Sequence, residues 1–192
     1  EILDSRAHPT IESIIELEDG AVGIFSVPSG ASVGKHEAVE LRDKDTNRFD
    51  GLGVLSNLRI ISQILSPLLI GQDAYNQENI DEILIKSDNT ENKSKIGANT
   101  ILALSGAVAK VSSASQKIPV YQYIAKLSNL STTEFAIPTP MFNILNGGVH
   151  ASGNLDFQEF MVVPPKSNSY SQNLKFGTEA YYSLKKTLTS HS

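Results

Sequence analysis

Three side chains able to move or hold protons and substrate oxygens cluster in the run Pro140 to Pro164, PMFNILNGGVHASGNLDFQEFMVVP: His150, Gln158 and Glu159. An imidazole and a carboxylate are the usual general acids and bases, and a primary amide can orient an oxygen by donating to it. Met141 to Leu145 reads as a short buried strand, and Asn146, Gly147 and Gly148 then let the chain turn and pass close to a ligand. Phe157 to Val163 reads as a second strand, with Phe157, Glu159, Met161 and Val163 on one face and Gln158, Phe160 and Val162 on the other. Gln158 and Glu159 therefore oppose each other in a regular strand. Only a bulge or the strand end lets both serve one site. Glu159, flanked on its own face by Phe157 and Met161, needs a partner or a function if buried, and an ion pair is the structural alternative to catalysis. For His150, spacing does not choose between a catalyst and a surface or capping residue.

A second candidate is Pro28 to Lys35, PSGASVGK, a run of small residues expected to form a surface loop able to change shape. Gly30, Gly34 and Lys35 do not make a phosphate loop, because the GxxxxGK[ST] spacing is absent and His36 follows the lysine. Backbone amides and the hydroxyls of Ser29 and Ser32 remain. Ser32 could ligate a hard cation such as Mg²⁺, which accepts neutral oxygens; the alternative is an ordinary turn serine. His8, His36 and His191 have no partner at metal-ligand spacing and read as surface residues.

The 192 residues, 40% hydrophobic and 19% charged, suffice for one large domain or two small ones. A net charge of -5 with scattered Lys and Arg argues against a nucleic-acid partner, which would call for a basic stripe. No apolar run is long enough to span a bilayer, no secretory leader pattern opens the chain, and the absence of cysteine excludes disulfides and thiolate metal sites. Cytoplasm is the expected compartment, and a secondary cell-surface location is not readable here.

The elements that would position these candidates follow from periodicity. Thr10 to Glu18 alternates Ile11, Ser13, Ile15 and Leu17 against polar residues, with Ile14 out of phase. Asp19-Gly20 predicts a two-residue hairpin turn with positive φ at both positions, and Ala21 to Val27 the returning strand. Glu1 to Asp4 reads as part of a third strand. Leu58, Ile61, Leu65 and Leu68 mark a helix ending near Pro67 and Gly71; Ile80, Ile83 and Leu84 mark another, capped by Asn76. Ser94 to Lys117 carries Ile96, Ile101, Leu104, Val108 and Val111 among small residues that allow close packing. Pro119 to Leu127 presents Tyr121, Ile124 and Leu127. Ser128 to Thr133, with Pro138 and Pro140, marks a domain boundary. Ser171 to Leu188 predicts a final helix with Leu174, Tyr181, Leu184 and Leu188 on one side. Antiparallel sheet, then helices, then strand, strand and helix is the order of an α+β domain followed by the opening of an α/β unit.

EILDSRAHPTIE, VPSGASVGKHEAVELRD, NKSKIGANTILALSGAVAK, IPVYQYIA and NGGVHASGNLDFQEFM resemble consecutive segments of enolase, in order and at close to the family's spacing, across essentially the whole chain. The resemblance implies an amino-terminal α+β domain over 1–127, a linker over 128–137 and, over 138–192, the start of a TIM-like α/β barrel. It further implies reversible dehydration of 2-phosphoglycerate to phosphoenolpyruvate, two Mg²⁺ ions per active site, and a homodimer or octamer. Carried over by position, Ser32 matches the loop serine that ligates the second Mg²⁺, with Gly30 and Ala31 as neighbours. His150 matches a histidine near the substrate, Gln158 a substrate-contacting glutamine, and Glu159 a glutamate near the departing hydroxyl. The family's base lysine, proton-donating glutamate and principal metal carboxylates match nothing before residue 192.

Glu1 in place of methionine, and a stop just beyond the last helix, read as cuts, so this piece by itself is expected to be inactive and prone to instability or association. Where the family has Gly-Asn between Arg6 and Pro9, this chain has Ala7 and His8; where it has Thr after Ser32, this chain has Val33. Ala7 could strain a turn that wants positive φ. A noncatalytic enolase-like protein kept for binding or structure is the alternative reading, and another member of the wider superfamily acting on a different carboxylate is a third.

Overall fold

The computed structural model describes residues 1–30, 34–130, 134–148, 155–166 and 169–190. They form two compact units, Glu1–Ser131 and Thr132–Ser192.

The first unit opens with two short antiparallel strands, β1 (Ile2–Leu3) and β2 (Pro9–Thr10), pairing Ile2 with Thr10. The turn between them is built on Asp4, whose Oδ1 accepts the amides of Arg6 and His8, each at 2.8 Å. These bonds, that from His8 above all, hold the Asp4 carboxyl below its ordinary value. Ala7 sits in this turn at φ 61°, a region unfavourable for a residue with a Cβ.

A hairpin follows, β3 (Glu12–Glu16) against β4 (Val22–Ser26), with Ile14 opposite Ile24. Ile11 and Ser13 are buried and Ile14 is exposed, as the alternation requires. The connection differs from the expected two-residue turn. Gly20 donates to the Leu17 carbonyl and Leu17 to that of Ala21, both at 2.9 Å, and only Gly20 has positive φ. Three residues thus turn the chain, a type I turn closed by a glycine bulge, and Asp19 stays at negative φ while its Oδ1 caps the Ala21 amide. Among the described residues β3 has a strand on one side only. Its other edge lines a cleft of about 900 Å³, walled opposite by Leu58, Ile61, Leu69 and Ile80.

The helices begin with α1 (Leu55–Ile60), which continues through a π-helical segment, Ile61–Leu65, into α2 (Ser66–Leu69). Pro67 accounts for the widened turn: it has no amide to donate and its ring crowds the carbonyl four residues back. The rotation lost there moves the apolar stripe, so that Leu69 packs on the core beside Leu65 while the expected Leu68 is 45% exposed. Helix α3 (Gln77–Asp88) begins at Asn76, whose side chain accepts the Asn79 amide at 3.1 Å. Helix α4 (Ala98–Ser115) lies between two clusters. Leu104 and Val108 join Leu65, Ile80, Leu84 and Ile96, while Ala103 joins Ile11, Val27 and Val54. Close packing on β4 explains the small residues, since a Cβ at Gly106 would lie 2.6 Å from the Phe25 ring. Helix α5 (Val120–Leu127) turns the opposite way from expectation. Tyr123 and Ala125 are buried, whereas Tyr121 and Ile124 are 55% and 46% exposed, because the Tyr123 side is the one packed inward.

The second unit holds β5 (Phe142–Asn146), β6 (Glu159–Val162) and α6 (Tyr170–Ser190). The helix meets β5 through buried Asn173 and Gly177, with the Phe142 ring against Gly177. Of the predicted apolar set only Leu184 shares that side; Leu174, Tyr181 and Leu188 are exposed. Among the described residues one helix and one two-stranded sheet make no closed barrel. Among the described residues no helix is long and apolar enough to cross a membrane.

Candidate active site

In the second unit two backbone hydrogen bonds join the described residues that precede and follow 149–154. Gly147 donates to the Gln158 carbonyl at 2.9 Å and Gly148 to that of Leu155 at 2.8 Å, so both flanks of the His150 segment are tied together. His150 itself lies outside the described residues. The tie needs glycine. A Cβ at Gly147 would stand 2.1 Å from the Phe157 carbonyl oxygen, inside any allowed contact, and Gly148 has φ 68° with its face against the Gln158 side chain.

The register of the two strands places Gln158 and Glu159 at one end of the sheet. Asn143 pairs with Met161 but Leu145 with Phe160, so Ile144 is an extra residue and the bulge falls on β5 rather than β6. The slip sets Asn146 opposite Glu159, while Gln158 precedes the first paired residue of β6. Both residues therefore sit at the strand's beginning, next to the Gly147-Gly148 turn. Both are exposed, so the burial argument for Glu159 does not apply: no apolar environment compels it to have a partner.

In the first unit Gly30 is exposed and tethered; Ala31, Ser32 and Val33 lie outside the described residues. The Gly30 amide donates to Glu40 Oε1 at 2.9 Å, and on the far side of the loop the Gly34 amide donates to Glu37 Oε2 at 2.6 Å. Glu40 Oε2 accepts from Arg42 Nη2 at 2.8 Å, and Arg42 Nη1 donates to the carbonyls of Pro9 and Leu52 at 2.5 and 2.9 Å. The intervening Leu41 is fixed to α4, its amide and carbonyl both bonded to the Asn99 side chain. Asp43 then accepts the first amides of α1, from Leu55 and Ser56. Burial would raise the Asp43 carboxyl, but the Ser56 hydroxyl, these amides and nearby Arg48 outweigh it and hold the group below its ordinary value.

Glu37, Glu40 and Arg42 were not among the residues singled out from the sequence. Their only trace there is the dense charge of KHEAVELRD after the loop, and no periodicity links Glu40 to a glycine ten residues earlier. His36 is exposed as expected, whereas His8 is half-buried because its amide is drawn onto Asp4. Among the described residues no group of three or more His, Cys, Asp or Glu side chains is placed to hold a metal ion, so they do not by themselves make a Mg²⁺ cage. The 900 Å³ cleft contains none of the candidate residues.

Residues 1–124 match the family model for the enolase N-terminal domain and residues 134–192 that for the enolase C-terminal TIM barrel domain. The enolase of Anaplasma phagocytophilum (strain HZ) is 47% identical over 191 residues, 100% of this chain and 43% of that protein. The enolase of Ehrlichia canis (strain Jake) is 47% identical over 190 residues, 99% of this chain and 44% of that protein. The chain thus spans less than half the length of these curated relatives. With both of its units matched in the family's own order, the chain belongs to the enolase family.

Proposed function

We propose that the intact protein catalyses the reversible dehydration of 2-phosphoglycerate to phosphoenolpyruvate. The observation carrying this reading is the 47% identity to enolases over the whole chain, which includes both candidate regions. Removing a proton beside a carboxylate builds a dianionic intermediate, so the reaction needs fixed positive charge and donors, then a protonated group to assist the departing hydroxyl. In this reading Glu159 and His150 act on the leaving-group side, and Gln158, Gly30 and Ala31 contact substrate. The base comes from polypeptide beyond residue 192. Two Mg²⁺ ions would stabilise the intermediate, with Ser32 the one ligand contributed from this chain; that requirement rests on the likeness, since the described residues supply no cage. The Gly147–Gln158 and Gly148–Leu155 bonds support the assignment by holding the flanks of the His150 segment at the residue next to Glu159. The reading also takes 1–127 and 138–192 as the two domains, joined by a linker over 128–137, in a cytoplasmic homodimer or octamer.

The test is phosphoenolpyruvate formation by the intact protein, with and without Mg²⁺. Turnover that falls by about 10²–10⁴ in Glu159→Gln or His150→Ala, at unchanged melting temperature, supports the roles given. No turnover on 2-phosphoglycerate by a folded wild type overturns the reading and leaves a noncatalytic member of the family.

A further inference from the structure

We propose that Glu40 is a positioning residue that fixes the backbone at Gly30, with Arg42 holding the Glu40 carboxylate in place; the inference deepens the reading above and rests on Gly30 being part of that site. One carboxylate oxygen takes the Gly30 amide and the other takes the Arg42 guanidinium. The guanidinium is itself tied down, since its other terminal nitrogen, Nη1, donates to the Pro9 carbonyl of β2 and the Leu52 carbonyl before α1. Arg42 is 16% exposed at its side chain and Glu40 33%, so the pair is partly shielded from water rather than a free surface ion pair. Leu41 between them is clamped on both its amide and its carbonyl by Asn99, itself 5% exposed and bonded to fully buried Asn57. A rigid route therefore leads from α4 through residues 40–42 to a single amide in an exposed loop.

Geometry distinguishes this from a stability device. Among the described residues the hydrogen bonds of the Glu40 carboxylate go to Gly30 and Arg42, whereas the elements around it have their own ties: Asp43 caps α1, and Val39 bonds to Asn92 and Ala98. Placing Gly30 within hydrogen-bond tolerance is the kind of support a substrate-contacting backbone needs from residues that never touch substrate.

Hydrogen exchange of the intact protein, read at the Gly30 amide and across α4, provides the test beside steady-state kinetics. Glu40→Ala should speed exchange at Gly30 about tenfold or more while α4 is unchanged, and should lower kcat/KM about tenfold. Glu40→Gln, which keeps a neutral acceptor, should recover much of both effects, and Arg42→Lys, which loses the fork, should show a weaker version. Unchanged exchange at Gly30, or equal acceleration at Gly30 and throughout α4, overturns the proposal. Faster exchange at Gly30 with kcat/KM unaffected also overturns it, by showing that the tether does not serve the site. Wild-type protein without dehydratase activity would sink the proposed function instead, while the exchange result would still report on the tether.

Discussion

The Gly147 Cα faces the Phe157 carbonyl so closely that a methyl group there would stand 2.1 Å from the oxygen. The start of β6 is thereby pressed against the turn that leads to His150. Gly147→Ala should force the two backbones apart, break the Gly147–Gln158 bond and displace both Gln158 and Glu159. In the intact protein, kcat is expected to fall at least 10²-fold, because displacements near 1 Å in a catalytic group have costs of that order. Retained kcat in a folded Gly147→Ala variant would show that the close approach is dispensable.

Ala7 carries a Cβ in a left-handed conformation that costs about 1–2 kcal/mol for such a residue. Ala7→Gly is therefore expected to stabilise the first unit, by about 0.5–1 kcal/mol once the greater freedom of unfolded glycine is subtracted. A urea midpoint that stays put or falls would mean that the turn has relaxed the strain elsewhere.

Asp88 is 1% exposed and accepts the amides of Thr90, Lys95 and Ile96, at 3.0, 3.0 and 2.7 Å, as well as the Thr90 hydroxyl. Burial would raise its carboxyl, but these donors more than compensate and hold it below its ordinary value. The folded state thus binds this proton less readily than the unfolded chain. The stabilisation is whole above the unfolded value of about 3.9 and is lost as pH falls through the lower folded value. Asp88→Asn should cost about 2–3 kcal/mol at pH 7, and the gap to wild type should narrow as pH falls through that window. Unfolding curves for the two proteins between pH 2 and 7, each pH being a chosen condition of roughly one-unit spacing, give the comparison. A gap that is constant with pH would deny the charge any part.

Asn76→Ala should cost about 1 kcal/mol by leaving the Asn79 amide unpaired at the start of α3. Asn76→Ser should recover most of it. An equal loss in both variants would trace the effect to something other than the cap.

What the sequence made legible was local. The Asn76 cap acts three residues away and the β3 alternation repeats every two, so both are written in neighbouring letters. The hairpin at Asp19-Gly20 was equally visible, although its three-residue turn was not, because the choice of turn depends on how the flanking strands must twist. The π-helical segment ahead of Pro67 escaped for a different reason: periodicity assumes a constant rotation per residue, which the proline ring prevents. Helix α5 shows the limit of an apolar stripe, which does not say which side will find a neighbour; Tyr123 won over Tyr121 on a helix that packs against the preceding α4. In the site, the alternation of Gln158 and Glu159 was visible, whereas the bulge in their sheet was not. The extra residue belongs to β5, fifteen positions before Glu159. The Gly30–Glu40 bond likewise depends on a turn of the chain that no local pattern records.

The vacant margin of β3 has a bearing on how copies of this chain meet. Bare strand margins invite a like strand to zip alongside, and two copies laid antiparallel about Ile14 would bring Glu12 of each opposite Glu16 of the other. Glu18 and Asp19 extend the same negative row toward the hairpin tip. Such a border repels its own image, most strongly at low salt, and grows permissive once high ionic strength screens the carboxylates.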